Sequence, residues 1–106
     1  MKAAESTTVV HVRDGFDLYI GRAVPRAGFR SSKWGNPFRV RRGMTEAERQ
    51  GVLDAYRAHV LRTPFLLESL PELVGKRLGC WCKRRGDERC HGDVLVDLVR
   101  ERGLEP

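Results

Sequence analysis

The chain has 106 residues, fewer than the roughly 150 of an average domain, so we expect one domain over residues 1–106. Apolar residues make up 41% and charged residues 32%, a balance that is typical of globular proteins and excludes a disordered coil or a membrane span. The net charge is +6, and sixteen of the twenty cationic residues are Arg, whose planar guanidinium binds phosphate or carboxylate through paired hydrogen bonds. We therefore expect an anionic partner.

The N-terminal segment and the cysteines indicate the compartment. Residues 1–8 lack the apolar stretch of a secretory signal, and no later stretch approaches the roughly 18 apolar residues of a transmembrane helix. Cys80, Cys82 and Cys90 are an odd number of cysteines and too few for a disulfide framework. We predict a cytoplasmic protein with reduced thiols and no membrane partner, and the sequence leaves its oligomeric state open.

The first twenty residues predict two strands. Valines at alternate and adjacent positions in residues 9–12 favour a strand, and residues 18–20 favour a second one. Asp14 and Gly15 supply turn chemistry between them. The segment therefore predicts an N-terminal β-hairpin.

Two helical segments follow a long loop. Glycine and proline interrupt residues 21–43 too often for a regular element, so we expect an ordered, functional loop there. Thr45 and Glu48 match a capping box, and apolar residues at helical spacing extend this helix to about Arg62. A shorter apolar helical segment then closes near Gly75.

The last third of the chain predicts a strand and a helix. Residues 76–82 are short and apolar after a basic start, as in a buried strand. Asp93 caps or opens the last helix, and Gly103 ends it. The order β-β-α-α-β-α predicts a small α/β or α+β domain in which two or three helices pack on a short sheet.

Positive charge is concentrated in two segments. Residues 22–42 carry seven cationic residues and no acidic one, and residues 76–89 carry a net +4. If the fold brings these segments together, their field attracts phosphate groups. Phe29, Trp34 and Phe38 lie within the first segment, and a nucleotide base can stack on such rings while Arg holds its phosphate. A solvated basic surface is the alternative interpretation.

The loop around Trp34 contains four candidate ligand-binding residues. Arg22 would pair with phosphate, and Trp34 would stack on the ligand or form a wall of its pocket. Gly35 permits close approach of the backbone, and Asn36 offers both a donor and an acceptor that would fix the ligand's orientation. A rigid loop held by two buried aromatic side chains is an equally good interpretation.

The segment Cys90-His91-Gly92-Asp93 holds the candidate catalytic residues. We expect it at the N-terminus of the last helix, where the backbone amides, including that of Gly92, favour an anion. His91 would be the general acid or base, and Asp93 would orient it or accept a hydrogen bond from a ribose. Cys90 would be a reactive thiolate in the same field.

Two further interpretations of this segment stay open. In the first, the cysteines are small apolar core residues, His91 is satisfied locally and Asp93 is a helix cap. In the second, Cys80, Cys82, Cys90 and His91 bind zinc, although the spacing C-x-C-x7-C-H departs from the usual C-x2-C pair. No other cofactor is expected.

Four strings together resemble a known family. They are Tyr19-Ile20-Gly21-Arg22, Trp34-Gly35-Asn36-Pro37-Phe38, Gly79-Cys80-Trp81-Cys82 and Cys90-His91-Gly92-Asp93-Val94-Leu95. The chain resembles, over about residues 9–98, an uncharacterised family of short bacterial and phage proteins that is catalogued as a domain of unknown function and carries GNPF, CWC and CHGD motifs. The resemblance implies a bacterial or phage source and supplies no mechanism.

These observations lead to one functional hypothesis with two alternatives. We expect a nucleotide or another phosphate-bearing ligand in a pocket between the loop of residues 22–38 and the helix start at residues 90–93, with hydrolase or transferase chemistry left open. A non-catalytic nucleic-acid-binding accessory protein and a zinc-stabilised interaction module are the alternatives. A serine triad, a Walker loop and a G-x-G-x-x-G fingerprint are absent from the sequence, so those reaction classes have no support.

Overall fold

The computed structural model describes residues 6–38, 41, 43–81 and 89–104. The fold is α/β, and its elements follow the predicted order β-β-α-α-β-α. The strands and helices are β1 (Thr8–His11), β2 (Leu18–Tyr19), α1 (Glu46–Leu61), α2 (Pro64–Ser69), β3 (Arg77–Cys80) and α3 (His91–Glu101). Among the described residues, no helix is long and apolar enough to cross a bilayer.

The sheet has three strands in the order β1-β3-β2, and both outer strands run parallel to β3. The predicted N-terminal hairpin is therefore wrong, since β1 and β2 run in the same direction and do not pair. Residues 12–17, which connect β1 to β2, bring the chain back to the end of the sheet at which β1 begins. β2 therefore runs in the same direction as β1, and β3 lies between them. Asp17, just before β2, aligns this strand with the start of β3. Its backbone N–H donates to the Arg77 carbonyl (2.8 Å), and its carboxylate accepts from the Arg77 N–H (2.9 Å).

The first helix begins where the capping box predicts. The Thr45 hydroxyl accepts from the Glu48 N–H (3.1 Å), and the Glu48 carboxylate accepts from the Thr45 N–H (2.9 Å). The helix ends at Leu61, just before Pro64, as predicted. Its buried side chains, Leu53, Tyr56 and Val60, join the core.

The last helix begins three residues earlier than a cap at Asp93 predicts. Its N-cap is Cys90, and Asp93 is the third helical residue, whose carboxylate accepts from the Cys90 N–H (2.8 Å). Gly103, in the left-handed region at a φ of 68°, ends the helix as predicted. The stripe Val94, Leu95, Leu98 and Val99 is buried, again as predicted.

Gly92 determines how closely α3 approaches the sheet. A Cβ atom at this position would lie 2.8 Å from side-chain atoms of both Val9 and Ile20. Because real Cβ contacts are longer than this, glycine allows the first turn of α3 to pack directly on the sheet. The start of α3 is thereby held against the ends of the strands.

Candidate functional site

The carboxyl ends of the three strands meet at one edge of the sheet because all three strands are parallel. We call this edge, formed by His11, Tyr19 and Cys80 with the residues that follow them, the carboxyl edge. The start of α3 lies here as well, since His91 Nε2 is 2.8 Å from the Ile20 carbonyl oxygen. The start of α3 is therefore in contact with Ile20, the residue that follows β2. A pocket between residues 22–38 and 90–93 stays a prediction.

The contact between His91 and Ile20 determines which ring nitrogen carries a hydrogen. A carbonyl oxygen only accepts, so Nε2 of His91 is the donor. His91 is 6% exposed, and Nε2 cannot at the same time accept a proton or bind zinc. General acid–base chemistry or metal binding by His91 would use Nδ1, and either role stays a prediction.

Tyr56 joins the loop to α3 inside the core. Its hydroxyl donates to the Trp34 carbonyl (2.6 Å), and its ring meets the His91 ring edge-on with the centroids 5.1 Å apart. Two effects raise the pKa of Tyr56 above its usual value. The larger is burial of the phenol, and the smaller is the negative charge that Cys90 would carry as a thiolate. The phenol therefore stays a neutral hydrogen-bond donor.

Trp34 is a core residue rather than an open stacking surface. Its side chain is 1% exposed, and its indole N–H donates to the Glu72 carboxylate (2.8 Å). Lys33 forms an ion pair with the same carboxylate at 2.9 Å. The surrounding core covers the ring, so it offers no open face for stacking, and a role for Trp34 as a wall of a ligand pocket stays a prediction.

Arg22, Gly35 and Asn36 hold the loop together. Two guanidinium nitrogens of Arg22 donate to the Asn36 carbonyl oxygen at 3.0 and 2.6 Å, and the Asn36 side-chain oxygen accepts from the Phe38 N–H (2.9 Å). A Cβ at Gly35 would lie 3.2 Å from the Ser32 carbonyl oxygen. These residues therefore brace the loop, and phosphate binding by Arg22 stays a prediction.

The N-terminus of α3 already holds a negative charge. The Asp93 carboxylate occupies the end of the helix at which a ligand phosphate was expected, and it satisfies the Cys90 amide. Gly92 is packed against the sheet at the same place. A phosphate at this end of the helix would have to displace the Asp93 carboxylate from the Cys90 amide, and phosphate binding here stays a prediction.

Two of the three cysteines lie together at the carboxyl edge. The Sγ atoms of Cys80 and Cys90 are 3.5 Å apart, and both residues are buried. Cys82 lies outside the described residues, so the predicted set of four zinc ligands is only partly placed. Within the described ranges, no group of three His, Cys, Asp or Glu side chains could hold a metal ion, and zinc binding stays a prediction.

Partly buried aromatic rings also pack at the carboxyl edge. The Phe29 ring contacts Tyr19 (centroids 4.5 Å apart), Phe16 (5.9 Å) and, edge-on, Trp81 (5.6 Å). Trp81 in turn meets the His11 ring edge-on at 5.7 Å. We call these five residues the ring cluster.

The ring cluster was not predicted as a site, although the sequence contains a signal for it. An aromatic residue ends or directly follows each strand: His11 in β1, Tyr19 in β2 and Trp81 after β3. Only the parallel arrangement of the strands brings these three ends together. Phe16 lies directly over the sheet, because a Cβ at Gly79 would be 2.6 Å from its ring.

The ring cluster offers a hydrogen-bond donor and has cations beside it. The Trp81 indole nitrogen is buried and has no hydrogen-bond partner among the described residues. Arg30 directly follows Phe29, and Arg26 lies in the turn closed by the bridge between Val24 and Phe29. Both side chains are exposed and form no salt bridge with the described residues.

A shallow groove of about 380 Å³ runs along the C-terminal half of α1. Its lining residues are Phe38, Ala55, Ala58, His59, Arg62 and Thr63. Only one of them is a permanent cation, which makes the groove a weaker candidate for a phosphate than the surroundings of the ring cluster.

Comparison with known proteins identifies the family. A family model described as a domain of unknown function, DUF4326, matches residues 5–101. The chain belongs to this family. An uncharacterized protein, R718, of Acanthamoeba polyphaga mimivirus is 34% identical over 92 residues, which cover 79% of this chain and 67% of that protein. No solved structure matches the chain.

The DUF4326 match includes all of the predicted family region, residues 9–98, and extends a few residues beyond each end. It therefore contains the loop of residues 22–38 and the start of α3. The relative named above is a mimivirus protein, so a bacterial or phage origin for this DUF4326 member stays a prediction.

Proposed function

We propose that the protein binds a phosphate-bearing ligand, most simply a nucleotide, at the carboxyl edge. The ring cluster receives the base, and Arg26 and Arg30 hold the phosphate. This moves the binding site from the junction of residues 22–38 with residues 90–93 to the rings beside it. The reason for the move is that the side chains at the junction are already engaged in packing and hydrogen bonds.

The ring cluster is the observation that carries the proposal. In parallel sheets, ligands bind at the carboxyl ends of the strands, where the loops leave the sheet. Rings that are partly exposed there offer stacking surface, and base stacking on one aromatic side chain contributes about 1–3 kcal/mol. The indole N–H of Trp81 adds a donor for a ring nitrogen or a carbonyl of the base.

The charge beside the ring cluster supports an anionic ligand. Arg26 and Arg30 form no salt bridge with the described residues, whereas Arg57, Arg77 and Arg89 each pair with a carboxylate. An unpaired guanidinium keeps its donors for a ligand phosphate. In this arrangement His91 is a positioning residue that ties the start of α3 to Ile20, and Asp93 caps the helix.

Tryptophan fluorescence tests the proposal, because the chain contains two Trp residues and only Trp81 belongs to the ring cluster. The Trp34→Phe protein reports on Trp81 alone, and the Trp81→Phe protein reports on the buried Trp34. Titration with AMP, ATP and inorganic phosphate should give saturable quenching by the nucleotides in wild type and in Trp34→Phe. Quenching should be largely absent in Trp81→Phe.

The proposal fails if folded wild-type protein shows neither quenching nor a heat of binding with any nucleotide. Comparison of wild type with Trp81→Phe is sufficient if Trp34→Phe does not fold. Quenching that is equal in wild type and Trp81→Phe would place the ligand away from the ring cluster.

A nucleic-acid-binding role is the second candidate, and the exposed arginines favour it. Arg13, Arg26 and Arg30 are exposed and form no salt bridge with the described residues, and such side chains bind successive backbone phosphates. A single-stranded oligonucleotide would then bind far more tightly than a mononucleotide. Its affinity would fall steeply with salt concentration and would survive the substitution His91→Ala.

A further inference from the structure

Cys80 and Cys90 form a buried pair of thiols that the proposed binding of a nucleotide does not use. Cys80 ends β3, and Cys90 is the N-cap of α3. Their Sγ atoms lie 3.5 Å apart, and the residues are 0% and 4% exposed. The fold therefore brings together the sulfurs of two cysteines that are ten positions apart in the chain.

We propose that Cys80 and Cys90 are a redox modification site and form a reversible disulfide when the protein meets a small peroxide. A disulfide has a sulfur–sulfur distance of about 2.05 Å, so each sulfur needs to move by less than about 1 Å. A displacement of this size is within reach of small side-chain rotations at the end of a strand and at a helix N-cap. The backbone of β3 and α3 can stay in place.

The chemistry requires one peroxide per bond. The Cys90 sulfur attacks one oxygen of hydrogen peroxide, the O–O bond breaks, and water leaves with the thiol proton. The Cys80 sulfur then attacks the sulfenic sulfur, the S–O bond breaks, and a second water leaves with the Cys80 proton. The two thiols are oxidised by two electrons in total, and the peroxide is reduced to two waters.

Burial makes the site selective for a small oxidant. Cys90 is the more exposed of the two thiols, and it lies where α3 begins at the carboxyl edge. Hydrogen peroxide is about the size of water, whereas a peptide disulfide would first require α3 to separate from β3. The bond would close the segment between the two cysteines and tie β3 to α3 at this edge.

Peptide mapping of the oxidised wild-type chain is the direct test. The folded protein is treated with hydrogen peroxide, the remaining thiols are alkylated after denaturation, and the chain is cut with trypsin and chymotrypsin. Chymotrypsin cleaves after Trp81 and so separates Cys80 from Cys82, while trypsin cleaves after Arg89 and releases Cys90. The expected result is a peptide linking Cys80 to Cys90, alkylation of Cys82 alone, and return of all three thiols after reduction.

A matched set of variants strengthens the test. Cys82→Ser should still lose both of its remaining alkylatable thiols on oxidation, whereas Cys80→Ser and Cys90→Ser should not form the intramolecular bond. The proposal is overturned if the linked peptide contains Cys82, if peroxide produces sulfinic acid without a bond, or if bound zinc protects all three thiols. Because the mapping uses the wild-type chain, the result does not depend on the folding of any variant.

Discussion

Nε2 of His91 and the backbone carbonyl oxygen of Ile20 lie 2.8 Å apart although the two residues are 71 positions apart in the chain. This hydrogen bond joins the first residue of α3 to the residue that follows β2. Ile20 is fully buried, so removal of the imidazole leaves its carbonyl without this protein donor. The bond explains why the first turn of α3 sits at the carboxyl edge.

We expect His91→Ala to destabilise the protein by about 2–4 kcal/mol, because it leaves a buried carbonyl unpaired and opens a cavity beside Tyr56. Urea denaturation measures the change in the free energy of unfolding. His59→Ala is the control: its ring is only partly buried and forms no hydrogen bond with the described residues, so its cost should be below about 1 kcal/mol. Equal stability of the two variants would show that the contact with Ile20 is unimportant.

Gly92→Ala and Gly51→Ala should change stability in opposite directions. The added methyl group at position 92 meets Val9 and Ile20 at 2.8 Å, whereas the methyl group at position 51 meets nothing within 4 Å. We expect Gly92→Ala to cost about 1–3 kcal/mol. Gly51→Ala, in the exposed interior of α1, should stabilise by about 0.5–1 kcal/mol.

Thermal unfolding of both proteins at one pH provides the comparison. A stable Gly92→Ala protein would mean that α3 does not pack on the sheet as closely as the structure shows. The expected gain from Gly51→Ala serves as the internal control, because it depends on helix propensity and not on packing.

Arg30→Gln should weaken nucleotide binding about fivefold, which corresponds to a loss of roughly 1 kcal/mol for one exposed phosphate contact. Arg102→Gln removes the same charge from the C-cap of α3, far along the helix from its start at the carboxyl edge, and should leave the affinity nearly unchanged. Isothermal titration with ATP at two salt concentrations measures both affinities. An equal effect of the two substitutions would indicate attraction by net charge rather than contact at the ring cluster.

Glu48 should make stability depend on pH in the acid range. The Thr45 backbone N–H donates to its carboxylate and holds the pKa of Glu48 below its ordinary value of 4.5. Because the folded state prefers the charged form, this contribution is present above about pH 4.5 and is lost as the pH falls through the lower pKa of the folded state. Glu48→Gln should therefore flatten the fall of the melting temperature below that pH.

Glu46→Gln is the matched control for this measurement, since Glu46 lies in the same first turn but outside the capping box. Its melting temperature should follow the wild-type dependence on pH more closely than that of Glu48→Gln. Identical curves for Glu48→Gln and the wild type would contradict the role of the capping box.

Local patterns in the sequence predicted most of the elements correctly. The capping box at Thr45, the helix end near Arg62 and the stop at Gly103 each depend on neighbouring residues, so their chemistry is visible in the sequence. The sheet order was not visible, because Asp14 and Gly15 favour a turn without specifying which strand pairs with β1. The partner, β3, lies more than sixty positions away.

The sequence by itself determined an α/β or α+β class, the order of the elements, the excess of arginine and the segments that carry the candidate site residues. Only the tertiary structure decided what those residues contact: Trp34, Arg22, His91 and Asp93 are engaged in internal hydrogen bonds, whereas the rings of His11, Phe29 and Trp81 are brought together. The physical reason is that a motif specifies which groups are present, but their use depends on the partners that long-range packing supplies.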